Sequence, residues 1–126
     1  MMIVIKTIPH KKQRYETCGD WQNINGIMQV KVSDCGNESS ELAVALHEII
    51  EQHLCKLSGV SEKKVDAFDL KWDQENEDNV NDEPGNDPRA PYYAEHKTAM
   101  QIERIFIKAC GEKWSEHDKR LGALFE

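Results

Sequence analysis

Nothing in this 126-residue chain approaches the roughly 20 apolar residues that a membrane-spanning helix needs. The opening run from Met1 to Ile8 is also too short for the apolar region of a secretory signal and stops at Pro9 and a group of bases, so it reads as a strand. There is no CxxC pair. Cys18, Cys35, Cys55 and Cys110 are far apart, which leaves out a zinc ribbon and a thioredoxin-like site, and reduced, partly buried thiols fit a cytoplasmic protein. Positive charge is in deficit: a net charge of -7 argues against a general nucleic-acid binder, which must neutralise phosphates with Lys and Arg. No internal repeat is present, and the length suits one domain over residues 1–126.

The charges that are present are unevenly placed. Lys6, Lys11, Lys12, Arg14 and Lys31 make the first part basic. Asp73, Glu75, Glu77, Asp78, Asp82, Glu83 and Asp87 form an acidic tract with no base inside it. Both are expected to be solvated surface. The tract fails as a calcium loop, because the glycine position of an EF-hand holds Asp78 and the closing carboxylate position holds Pro84. With Pro84-Gly85, Pro88 and Pro91 excluding a continuous helix, residues 73–91 read as an acidic loop.

Strand signals come first and helix signals follow. Residues 2–8 are rich in β-branched side chains and stop at Pro9. Residues 15–21 read as a second strand that Gly19 and Asp20 interrupt or end. Asn23, Asn25 and Gly26 then predict a hairpin into 27–33, where Met28, Val30 and Val32 alternate with polar residues. Ser39 or Ser40 is the expected N-cap of a helix over 42–57, ended by Gly59. Ser61 caps a second helix with Val65, Phe68 and Trp72 on one stripe, and residues 92–110 form a third with Ala99, Ile102, Phe106 and Ala109 facing the core. Residues 113–124 read as a short amphipathic tail through Trp114, Leu121 and Leu124. The expected fold class is α+β: a small, mainly antiparallel sheet of three strands packed against three helices.

The central helix carries ionisable residues in its apolar middle. His47-Glu48-Ile49-Ile50-Glu51 has the form H-E-x-x-E, one substitution from the H-E-x-x-H zinc signature. Chance gives this pattern about 0.06 times at this content of His and Glu. Side chains at i and i+4 converge on one ion, so His47 and Glu51 are candidate ligands and Glu48 a candidate general base that takes a proton from metal-bound water. The alternative is a core histidine bonded to a carbonyl or carboxylate, with Glu48 and Glu51 reaching solvent. No local motif supplies a third ligand. His96 is the choice, because the last long helix can pack across the central one, and Glu103 on the same face is a further ligand or a partner of one. Asp66 and Asp69 are the rivals, with surface positions flanking their stripe as the plainer expectation. His53 faces away from Glu51. Tyr92 and Tyr93 are either oxyanion donors or core residues.

Strand, hairpin, strand, turn and a helix bearing H-E-x-x-[HE] resemble the zincin metallopeptidase core in its minimal form. The series Val32-Ser33-Asp34, Gly36-Asn37, then Ala45-Leu46-His47-Glu48 and Glu51 is similar to that of short bacteriophage proteins. The resemblance covers residues 27–55 most specifically. It implies a metal-dependent hydrolase acting on a peptide or a host protein, with His47 and Glu51 as ligands of a divalent ion, zinc first, and Glu48 as base. Residues 30–33 would be the edge strand holding an extended peptide. It also implies host cytoplasm as the location if the chain is phage-encoded. Glu51 departs from the family pattern, which has His there and so leaves the metal open.

Two other functions follow from the same residues. A non-catalytic accessory protein would keep a degenerate metal site and bind a host protein through its charged surfaces. A helical nucleotide pyrophosphohydrolase of the MazG-like class would use Glu48-x-x-Glu51 with Glu75-x-x-Asp78 to hold magnesium, an arrangement that the β-rich start does not suit.

Overall fold

In the computed structural model, which describes residues 1–77 and 82–126, three strands precede four helices, an α+β order. Strands β1 (Ile3–Ile8), β2 (Gly19–Ile24) and β3 (Ile27–Ser33) form one sheet in the order β1-β3-β2. The hairpin forms where the turn residues lie. Asn25 and Gly26 have φ of 52° and 78°, the paired positive values of a type I′ turn, and Ile24 faces Ile27 across it.

The sheet is mixed: β3 runs antiparallel to β2 and parallel to β1. This places β3 in the middle, with both edges of its backbone paired. An extended peptide therefore cannot add to residues 30–33, as the family resemblance implied, and the unpaired edges belong to β1 and β2. Gly19 begins the second strand and does not end it. A Cβ there would lie 2.6 Å from Val44 Cγ1 and 2.9 Å from Glu48 Cγ, so glycine is needed for the close approach of β2 to the central helix.

The helices are α1 (Glu38–Ser58), α2 (Glu62–Glu75), α3 (Tyr93–Ala109) and α4 (Trp114–Gly122). The expected amphipathic tail is thus a fourth helix. The cap of α1 is Asn37, whose side chain accepts from Ser40 N at 2.9 Å, and Glu41 takes the amide of Cys35 at 2.9 Å. Ser40 is thereby freed from capping and lies fully buried. Gly59, at φ 75°, ends α1, and Ser61 caps α2 as expected. The acidic tract contributes its first residues, through Glu75, to α2, and Pro84–Asn86 forms a 3-10 turn. Asp78 lies outside the described residues.

Trp21, Val30, Val32, Val44, Ala45, Val65 and Tyr92 build the apolar core between the sheet and α1. The helical layer is different. In α1 the buried positions include His47, Glu48, Glu51 and Gln52, while Leu42 and Leu57 are exposed. In α3 the buried positions are His96, Ala99, Glu103 and Ile107, at helical spacing, and Ile105 is 69% exposed. The expected stripe of Ala99, Ile102, Phe106 and Ala109 is therefore rotated: Ala109 is exposed and Ile102 and Phe106 are half-buried. Both helices turn ionisable residues toward each other, and burying such groups without partners would cost several kcal/mol. Among the described residues no helix is long and apolar enough to cross a membrane.

Candidate metal centre

Three donor atoms from α1 and α3 meet at one point. His47 Nε2 lies 3.1 Å from Glu51 Oε2 and 3.2 Å from His96 Nδ1, and His96 Nδ1 lies 2.9 Å from the same Glu51 oxygen. The helical i, i+4 spacing brings His47 and Glu51 together, and the packing of α3 across α1 delivers His96. All three residues are 5% exposed.

The size of the triangle is informative. An ion with bonds of about 2.0 Å to N and O ligands in tetrahedral array would hold them about 3.3 Å apart. The observed edges of 2.9 to 3.2 Å are close to that value. Glu51 Oε2 can accept from both rings, but His47 Nε2 and His96 Nδ1 would then turn their two hydrogens toward each other across 3.2 Å. The residues fit a divalent metal ion, and His47, Glu51 and His96 form a buried group that could hold one.

Each donor is backed by a second contact. Trp21 Nε1 donates to Glu51 Oε1 at 3.2 Å, which leaves Oε2 to face the shared point. His47 Nδ1 is 2.9 Å from Glu103 Oε1, and His96 Nε2 is 3.2 Å from Glu83 Oε2; both are charge contacts whose angles fall outside hydrogen-bond geometry. Gly85 lies over the His96 ring so closely that a Cβ would come within 2.4 Å of it. Glu103 Oε2 accepts from His117 Nε2 at 2.7 Å, and His117 Nδ1 lies 2.9 Å from Ser40 Oγ.

Burial opposes every charge in this cluster, and the partners overcome it selectively. Burial pushes the Glu51 carboxyl up, but the His47 and His96 rings pull it down to about 2. Burial lowers His96, yet Glu51 and Glu83 raise it to about 9; His47 is held well above the ordinary imidazole value because Glu103 and Glu51 outweigh its burial. Glu48 behaves in the opposite way. Burial, and then the charge of Glu51, push its carboxyl well above the usual range, and it has no hydrogen-bond partner among the described residues. It lines the same cleft, of about 910 Å³, as the three donors. Neither Glu48 nor Glu51 is an ordinary surface residue: they are 9% and 5% exposed, and Glu48 lines the cleft.

The remaining expected residues fall into place around this group. Glu103 is a partner of His47 and not a member of the donor triangle. Asp66 is paired with Arg14 at 3.2 Å, near the surface. Asp69 is buried and accepts from the hydroxyls of Tyr92 and Tyr15, so it too is separate from the triangle. Tyr92 is buried with its proton directed at Asp69, and Tyr93 lies under the Lys97 ammonium at 5.0 Å. Neither tyrosine presents a free donor hydroxyl at the donor triangle. His53 is exposed. Sequence reasoning missed Trp21, Glu83, His117 and Ser40 as neighbours of the donors. Only the burial of a lone histidine in an amphipathic tail could have hinted at His117.

Comparison of the chain with protein-family models, with curated proteins and with solved structures gives no match, so what can be said of its function rests on this geometry.

Proposed function

We propose that the chain is a metal-dependent hydrolase of zincin type that cleaves a peptide bond, with zinc held by His47, Glu51 and His96 and with Glu48 as general base. The observation that carries this reading is the triangle of three buried donors with edges of 2.9 to 3.2 Å beside a buried carboxyl that has no partner. A zinc ion bound there would lower the pKa of a coordinated water to about 7 and polarise the substrate carbonyl.

The chain's own residues supply the rest. Trp21 fixes which Glu51 oxygen faces the ion. Burial, and then the Glu51 charge, hold the proton on Glu48; an ion held by Glu51 would offset the second of these, so that Glu48 would give up and take back a proton more readily, as transfer to a leaving amine requires. Gly19 brings β2 directly against Glu48, and its outward N–H and C=O are engaged by the Thr17 hydroxyl.

The test is metal content, measured by inductively coupled plasma mass spectrometry on untagged protein, alongside hydrolysis of a mixed fluorogenic peptide set. About one zinc per chain is expected, lost in His47→Ala and Glu51→Ala. Glu48→Gln should keep the zinc and lose activity by roughly 100-fold or more. A wild-type protein that holds no zinc, manganese or iron after incubation and desalting would sink the reading. Metal retention with Glu48→Gln inert in every assay would favour the non-catalytic accessory protein that binds a host protein.

A further inference from the structure

Beyond the donors and their immediate contacts, a chain of buried polar groups runs from α4 back to His47. We propose that His117 is a positioning residue of the metal centre, which acts through Glu103 to place the proton of His47 on Nδ1 and offer the Nε2 lone pair to the ion. The proposal rests on the metal reading above and adds residues that touch neither metal nor substrate.

The direction of the chain follows from donor and acceptor chemistry. The Arg120 guanidinium can only donate, and its Nη1 lies 2.6 Å from Ser40 Oγ, so Ser40 accepts there. At the other end, the Glu103 carboxylate can only accept, so His117 Nε2 carries the proton that it donates to Glu103 Oε2 at 2.7 Å. In the neutral ring Nδ1 is then the acceptor, and the one hydrogen of Ser40 is available to it at 2.9 Å. Glu103 is left with Oε1, 2.9 Å from His47 Nδ1; the contact lies outside hydrogen-bond angles, but the carboxylate charge on that side favours the tautomer with its proton on Nδ1. In the neutral ring, the lone pair is then on Nε2, at the donor triangle.

Several features separate this arrangement from ordinary core packing. His117 and Ser40 are both 0% exposed, yet each is a polar group with every ring nitrogen or hydroxyl position engaged. Arg120 is anchored in turn by Glu112 at 2.9 Å. The chain joins α1, α3 and α4, so the C-terminal helix bears on the metal site without contributing a ligand to it.

The test compares zinc and cobalt affinities, by competition with a chromophoric chelator, for the wild type, His117→Leu and His117→Gln, together with the visible spectrum of the cobalt forms and the melting temperature of each metal-free protein. Leucine removes the donor to Glu103, whereas the glutamine amide can replace it. His117→Leu should bind zinc about 10- to 100-fold more weakly and shift the cobalt bands, and His117→Gln should recover most of both. Equal loss of affinity in the two variants, in step with their melting temperatures, would reduce His117 to packing and overturn the proposal. So would wild-type affinity in a folded His117→Leu. If His117→Leu does not fold, Ser40→Ala reads the same chain: a loss of a few-fold in affinity is expected, and wild-type affinity would overturn the proposal. A wild-type protein that takes up neither ion removes the metal reading, and this proposal with it, before any variant is compared.

Discussion

Glu51 and His96, forty-five positions apart in the chain, meet at 2.9 Å between a carboxylate oxygen and a ring nitrogen, and both are buried. Neither residue could occupy that space alone without a large desolvation cost. Removing Glu51 leaves two histidines facing each other without their shared acceptor. Glu51→Ala should therefore destabilise the metal-free protein by about 3 kcal/mol in urea unfolding, the usual result of breaking a buried pair. His53→Ala, at an exposed position one turn away from the cluster's face, should lie within about 0.5 kcal/mol of wild type. Equal effects of the two substitutions would show that the cluster contributes little.

Metal removal has a related signature. If the ion binds the folded chain and not the unfolded one, zinc at about 100 times its dissociation constant adds about 2.7 kcal/mol of stability. Thermal unfolding in the presence of a chelator should then occur several degrees below that of the zinc-loaded protein, and restoring zinc should reverse the change. His96→Ala should abolish the zinc-dependent increment. An identical melting temperature in chelator and in excess zinc would contradict the site.

Gly85 tests the site from outside the helices. A methyl group there would meet the His96 ring at 2.4 Å, and the obstacle is a packed imidazole, not the tip of a flexible chain. Gly85→Ala should cost about 1–3 kcal/mol through overpacking, and should weaken metal binding by moving Nδ1 off the shared point. Zinc titration of the variant, followed by calorimetry, reads the second effect. Unchanged affinity would mean that the loop yields instead of the ring.

Asp69 provides the pH dependence. Its burial raises the carboxyl to about 7, against the lowering effect of the Tyr92 and Tyr15 hydroxyls, whereas in the unfolded chain it titrates near 3.9. Folding therefore takes up a proton between those values. The stability linked to this group is full below pH about 4 and is lost as pH rises through 7. Asp69→Asn keeps an acceptor for Tyr92 and cannot ionise, so its stability relative to wild type should grow from pH 4 to 7 and then level off, reaching on the order of 1–3 kcal/mol. Urea midpoints across that range decide it, and a difference that shrinks with rising pH would contradict the assignment.

Local rules settled much of this protein before any tertiary contact was known. Asn25-Gly26 demands a type I′ turn because both positions take positive φ, and Pro9 stops a strand because it cannot donate. Gly59 ends α1 for a similar steric reason. The i, i+4 placement of His47 and Glu51 is a property of helix geometry, so their proximity was readable from spacing alone. His96 was reachable by a weaker argument, that a long helix with His and Glu two turns apart would face the central one.

Other features depended on the packing of distant segments. Nothing local says that β3 lies between β1 and β2, because strand order is set by long-range pairing. The choice of Asn37 over Ser39 or Ser40 as cap follows from the burial of Ser40 against α4, and Gly19 looks like a break until α1 is seen to press on it. The rotated face of α3 has the same origin. Hydrophobic periodicity points to Ile102 and Phe106, but the carboxylate and imidazole groups of α1, α3 and α4 can be buried only against one another, and that mutual need turns His96 and Glu103 inward. Periodicity reports the average preference of side chains for water. Partner-dependent burial is a property of pairs, which exist only once the chain has folded.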